Sequence, residues 1–128
     1  MISLTRLAEE LTGAITRRTG VFASAQRLHT AVYPLYALRL MQEESIPAAG
    51  GDQLLRTVSV TVDCYGSRQR QATEGMDLAD RLVMALAPGV SLEDRHLTPT
   101  RITCRMVENR PEVSFRLVFY DLAEGVTE

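Results

Sequence analysis

The sequence predicts an α+β domain with a mostly antiparallel four-stranded sheet and two main helices packed on one face of it. Apolar residues recur at spacings of three and four over 3–18 and again over 67–86, the period of an amphipathic helix. They recur at every second residue within 55–66, 101–108 and 112–122, the period of a strand with one buried face. The order helix, strand, strand, helix, strand, strand places hairpin-like pairs between helices, and this order favours a sheet with helices gathered on one side.

The first helix runs from SLTRLAEELTGAITRR. Leu4, Leu7, Ala8, Leu11, Ala14 and Ile15 form its apolar face, and Thr5, Arg6, Glu9, Glu10, Thr12 and Arg17 the wet one. Ser3 is placed to cap the start, Arg17 and Arg18 suit the C-terminal dipole, and Gly20 is a stop. Residues 21–34 carry no clear period. Residues 35–42, LYALRLMQ, read as a strand that is apolar on both faces and therefore covered or central. Residues 43–53, EESIPAAGGDQ, read as a loop broken by Pro47, Gly50 and Gly51.

The alternation is cleanest in TVSVTVDCYG. Val58, Val60, Val62 and Cys64 fall on one face, and Thr57, Ser59, Thr61, Asp63 and Tyr65 on the other. A second helix over 67–86 buries Ala72, Met76, Ala79, Leu82, Val83 and Leu86, and Pro88 and Gly89 end it. Two strands close the chain. In one, Ile102, Cys104 and Met106 point inward against Arg101, Thr103 and Arg105; in the other, Val113, Phe115, Leu117 and Phe119 oppose Ser114, Arg116, Val118 and Tyr120. Asn109, Arg110 and Pro111 supply the tight connection between them. The tail AEGVTE is short and polar.

A chain of 128 residues suits one domain, spanning 1–128, and is long enough to bury a core without disulfides or metal. The formal net charge of -2 offers no strong field for nucleic acid. All 14 basic residues are arginine. Arginine-rich codon usage accounts for that, and arginine also outperforms lysine in planar contacts between proteins. Cys64 and Cys104 lie on apolar strand faces and read as small core residues rather than as a disulfide. No apolar run is long enough to span a membrane, and the opening segment does not read as a signal peptide, so the expected setting is cytoplasmic.

The search for chemistry yields nothing convergent. His29 and His96 stand alone, the cysteines lack zinc spacing, and no phosphate-binding or nucleophile motif occurs. The expectation is a protein that is not an enzyme, with no catalytic residue, cofactor or metal. The strand surface remains. Its outward residues are small hydroxyls, arginines and tyrosines, a mixture that fits a semi-polar protein interface. A solvated face held by cross-strand pairs is the plainer account of the same residues.

The whole pattern resembles the tail terminator, or tail completion, proteins of long-tailed bacteriophages. The resemblance covers about residues 2–122 and rests on element order: an opening amphipathic helix, SLTRLAEELTGAI; a strand, loop and alternating strand, YPLYALRLMQEE, SIPAAGGDQ and LLRTVSVTVDCYG; a helix, QATEGMDLADRLVMAL; and a final hairpin ending in an aromatic strand, RITCRMVENRPEVSFRLVFYDL. It implies a virion tail protein, assembled in the host cytoplasm, that forms a hexameric ring. The ring caps the head-proximal end of the tail tube, ends its polymerisation and offers the surface to which the head is joined. The implied partners are further copies of the chain, the tail tube protein and a head–tail connector protein, with DNA passing through the ring without specific binding. A closed ring needs two different, complementary surfaces on each protomer. Glu43, Glu44 and Asp52 are nominated as a docking loop, Arg101, Arg105 and Arg116 as subunit contacts, and Thr57, Ser59, Thr61 and Asp63 as a face covered by a neighbour. Two other readings stand beside this one: another head–tail joining or tail component of the same fold, and a dimeric small-molecule-binding regulatory domain.

Overall fold

The computed structural model describes residues 2–26, 33–48, 50–67 and 71–122. The expected tail, residues 123–128, lies outside them, as do His29, Arg68 and Arg70. The fold is α+β. Helix α1 spans Leu4–Thr19 and α2 spans Gln71–Leu86; the strands are β1 Ala23–Ser24, β2 Leu35–Pro47, β3 Gln53–Tyr65, β4 Val90–Leu92, β5 Arg95–Leu97, β6 Thr100–Val107 and β7 Arg110–Leu122. Strands β2, β3, β7 and β6 form the expected four-stranded antiparallel sheet, in that spatial order. The expectation is incomplete in two places. The two-residue β1 adds a fifth, parallel strand beside β2, making the sheet mixed, and β4 and β5 form a separate small hairpin. Both were invisible in the sequence because they are short, and β1 is held by pairing with a strand that follows it rather than by a period of its own.

Helix α1 forms as its pattern demands. The Ser3 side chain accepts the Arg6 N–H at 3.1 Å, and Gly20 closes the helix at φ 74°, a left-handed conformation that glycine adopts without strain. Leu7, Leu11, Ala14 and Ile15 are buried against the sheet. Helix α2 is rotated from its expected stripe. Leu78, Ala79, Leu82, Ala85 and Leu86 are buried, whereas Met76 is exposed. Its inward face is set by close approach to the sheet: a Cβ on Gly75 would lie 2.9 Å from Pro111 Cδ. The core joins both helices to Val58, Val60, Val62 and Cys64 of β3 and Val113, Phe115, Leu117 and Phe119 of β7. Tyr36 of β2 is buried with them and donates its hydroxyl to the Leu78 carbonyl at 2.6 Å, tying the sheet to α2.

Residues 43–47 are strand rather than loop. Strand β2 continues through Glu43, Glu44, Ser45, Ile46 and Pro47, paired with β3 from Val58 to Leu54. Strand β2 ends at Pro47 and β3 begins at Gln53, and between them Gly50 and Gly51 lie at φ 96° and 76°. Two adjacent acids suit a strand here because β2 is near the sheet edge and each finds its own environment. The register slips by one residue between Leu38 and Leu40. This bulge at Arg39 reverses which residues face the helices, so of the alternating neighbours Glu43 and Glu44 it is Glu43 that faces them and Glu44 that faces the open side.

The final connection also differs. Its turn is Glu108–Asn109, at φ 51° and 62°, and Arg110 and Pro111 already belong to β7. Two central residues of positive φ are what a tight hairpin needs to match strand twist. Strand β6 is the outer edge, and α2 covers β7 and β3 instead. Cys104 and Met106 are therefore exposed, not core; Ile102 alone of the three packs against it. Burial, with smaller effects from Cys104 and Asp63, pushes the Cys64 thiol up to about 12. A thiol reagent is expected to titrate one cysteine per chain, Cys104, in native buffer, and two after unfolding. Two equivalents reacting at once in native buffer would show that β3 is not covered as described.

A buried polar cluster fastens the N-terminal segment to the sheet end. Arg56, only 1% exposed, donates Nη1 to Asp121 Oδ2 at 2.8 Å and to the Ile2 carbonyl at 2.6 Å, while its Nε bonds Glu43. The guanidinium also lies 5.1 Å from the Phe119 ring centroid. Asp121 Oδ2 accepts the Ile2 N–H at 2.9 Å, and Arg95 reaches Asp121 Oδ1 at 3.2 Å.

Candidate assembly surface

The sheet has one face beneath the helices and one that, among the described residues, carries no helix. The open face is built in rows that cross the strands. Thr57 sits opposite Val118, Ser59 opposite Arg116, Thr61 opposite Ser114 and Asp63 opposite Glu112. Strand β2 extends these rows with Glu44 beside Thr57 and Gln42 beside Ser59. Strand β6 extends them with Thr100 beside Arg116, Thr103 beside Ser114 and Arg105 beside Glu112.

The middle of this face is a floor of small hydroxyls. Thr61 and Ser114 hydroxyls lie 3.1 Å apart, and Thr103 leans on the Ser114 carbonyl at 3.5 Å. Two shallow depressions of about 250 and 260 Å³ meet there, sharing Ser59 and Arg116. Thr57 and Glu44 line the first, and Thr61, Thr103 and Arg101 the second. The nominated Thr57, Ser59, Thr61, Arg101, Arg116 and Glu44 are thus brought to one surface. Among the described residues, Glu44, Arg101 and Arg116 form no ion pair within the chain.

Other nominated residues fall elsewhere. Asp63 is not part of an exposed face: it is 1% exposed and sits beside Glu112, which is also buried. Two buried like charges in neighbouring strands require cations. Arg39, freed by its bulge, spans both, with Nε 2.8 Å from Asp63 Oδ2 and Nη2 3.2 Å from Glu112 Oε1. Arg105 adds a contact to Glu112 Oε1 at 3.3 Å. Arg110 stands 3.9 Å from Asp63 Oδ1 and 4.9 Å from the Tyr65 ring centroid. Arg105 keeps a mostly exposed side chain but is already committed to this network. Glu43 turns to the helix side to pair with Arg56, and Asp52 lies in the turn after β2. A docking loop uniting Glu43, Glu44 and Asp52 is therefore not what the chain builds.

Sequence reasoning missed Arg39, Arg110 and Glu112. The only early signal was an acid inside an otherwise uncharged strand face, Asp63; its partners depend on the bulge and the register. At the far end of the open face, Ile46, Val118 and Tyr120 are exposed. His96 is occupied within the small hairpin, with Nδ1 3.0 Å from the Ser91 hydroxyl and Nε2 2.5 Å from the Pro88 carbonyl. Among the described residues, no three His, Cys, Asp or Glu side chains group to hold a metal ion. Among them, too, no helix is long and apolar enough to cross a membrane.

No protein-family model matches this chain, and no curated protein matches it. Among solved structures the chain is similar to one described as "Virion of native gene transfer agent (GTA) particle", with a TM-score of 0.55 and 13% identity, covering 88% of this chain and 92% of that one. At that identity the likeness establishes a common fold across nearly the full length of both chains.

Proposed function

We propose that this chain is a structural component of a phage-type virion that acts as a tail terminator. It caps the head-proximal end of the tail tube, ends tube growth and presents the surface to which the head is joined. The observation that carries the reading is the shared fold with a chain of a gene transfer agent virion over 88% of this sequence. The resemblance in element order to phage tail terminators supports the finer assignment. The described residues offer an interaction surface, the hydroxyl-floored open face with unpaired Glu44, Arg101 and Arg116, and the role asks for no catalysis and no cofactor. Its partners are further copies of the chain in a closed hexameric ring, the tail tube protein and the head–tail connector protein. A net charge of -2 suits a hole through which DNA moves without being held.

The test is to remove the gene from the particle's genome and measure tail lengths by electron microscopy. A terminator leaves tubes of uncontrolled length and heads without tails. Tubes of normal length that fail to attach to heads would assign the chain to a head–tail joining component of the same fold instead. Normal particles would overturn both.

A further inference from the structure

Two bulges, one in β2 and one in β6, each set an arginine on the open face, and they differ in what the arginine meets there. The bulge in β2 inserts Arg39 between Leu38 and Leu40, and Arg39 bonds Asp63 and Glu112. The bulge in β6 lies between Thr100, which pairs with Arg116, and Thr103, which pairs with Ser114, so β6 holds one residue more than β7 over that span. Strict alternation would send Arg101 toward the helices and Ile102 to the open side. Instead Ile102 packs against the core, and Arg101 lines the second depression of the open face. Arg101 holds φ 56°, a left-handed conformation that sterics disfavour in any residue with a Cβ. The Arg39 bulge is explained by the two carboxylates it serves. Among the described residues Arg101 has no such partner.

What Arg101 meets is a second unpaired arginine and a floor of hydroxyls. Arg116 lines the same depression of about 260 Å³, with Ser59, Thr61, Thr103 and Ser114. The Thr61 and Ser114 hydroxyls share one hydrogen bond, so one of them donates and the other keeps its proton for a further partner. The Ser59 hydroxyl has no hydrogen bond among the described residues. Two guanidinium groups and free O–H donors thus converge with no carboxylate between them, a donor set that suits an oxyanion. The extent of the site selects among oxyanions. On one side Arg39 and Arg105 are already committed to Asp63 and Glu112. On the other, the adjoining depression, which shares Ser59 and Arg116, is lined by Glu44. A nucleic-acid backbone needs a run of unpaired cations to follow successive phosphates, and here carboxylates close the site in both directions. Beyond Arg116 on the same face Val118 and Tyr120 are exposed. One compact anionic group beside an apolar patch matches an acidic side chain on a protein.

We propose that the depression between Arg101 and Arg116 is the receptor for an Asp or Glu carboxylate carried by a partner protein, whose neighbouring apolar side chain rests on Val118 and Tyr120. This gives the chemistry of the partner for the assembly surface described above, and it rests on that reading of the open face. The two guanidinium groups hold the carboxylate from its sides, and the hydroxyls donate to it from the floor. The bulge is the device that delivers Arg101 to the open face, and the strained residue within it persists because the site needs that side chain.

The test titrates the full, isotopically labelled chain at low salt with a blocked tetraglutamate peptide. Magnetic resonance reads the Arg101 and Arg116 side-chain N–H signals and the Thr61 and Thr103 amides. Saturable shifts of these signals are expected, and none with blocked tetraglutamine. Arg101→Gln and Arg116→Gln are each expected to weaken binding about tenfold. Arg101→Gly is expected to weaken it as much while raising the urea midpoint, because glycine adopts the left-handed conformation without strain. A glycine variant with a lower midpoint would show that the arginine serves the fold and would overturn the site. So would a peptide that shifts none of these signals, or shifts that both glutamine variants keep. Saturation by inorganic phosphate or by a duplex oligonucleotide at lower concentration than by the peptide would overturn the carboxylate assignment in favour of a phosphate. The measurement needs no particle, so its failure is distinct from a failure of the tail-length test of the terminator reading.

Discussion

Replacing Arg56 with alanine is expected to lower the stability of the folded chain by about 3–5 kcal/mol at neutral pH, read from urea denaturation. The guanidinium is buried with three oxygen partners, those of Glu43, Asp121 and Ile2. Its loss strands the buried Asp121 carboxylate and frees the hold on Ile2. Arg95, 3.2 Å from Asp121, remains and keeps the loss towards the lower end of that range. The pH dependence is diagnostic. Burial alone would raise the Asp121 carboxyl, but the Ile2 N–H, Arg56, the Leu122 N–H and Arg95 together hold it below its ordinary value. A group depressed in this way stabilises the fold above its unfolded value, near 4, and that stability is lost as pH falls through the folded value. The gap between wild type and Arg56→Ala is therefore expected to be widest near neutrality and to narrow in acid, where a protonated Asp121 no longer needs the arginine. A gap that is constant with pH would mean Arg56 acts through packing against Phe119 alone.

Replacing Arg39 with alanine is expected to cost about 2–3 kcal/mol, less than the Arg56 change because its side chain is half exposed and screened by water. Arg39 alone among the three arginines bonds both Asp63 and Glu112. Without it the two buried carboxylates face each other with only Arg105 and the more distant Arg110 to offset them. Asp63→Asn with Glu112→Gln in the Arg39→Ala background is expected to recover most of the loss, since neutral amides need no cation and bond one another across the strands. A single variant as stable as wild type would show that the cluster is held by Arg105 and Arg110. A triple variant no better than the single would show that Arg39 serves as a packing element over the bulge.

These two clusters mark the division between what was legible in the residues and what was not. The α+β class, both helices, the alternation in β3 and β7 and the choice of Val58, Val60, Val62 and Cys64 as core follow from periods of 3.6 and 2, which act locally and need no partner to be read. The open face follows too: once one face of an alternating strand is assigned to the core, Thr57, Ser59 and Thr61 must lie on the other. The environment of the charges does not follow. Asp63 reads as a surface acid until pairing with β7 sets Glu112 beside it, and Arg39 reaches both only because one bulged residue in β2 shifts the register. Strand alternation turns Glu43 and Glu44 to opposite faces, and the same bulge decides that it is Glu43 that meets Arg56 on the helix side. Cys104 and Met106 have the spacing of core residues, and they are exposed because β6 takes the edge position, beyond the cover of α2. Local periodicity determined which residues could be buried. Strand order and register, decided by contacts far apart in the chain, determined which of them were.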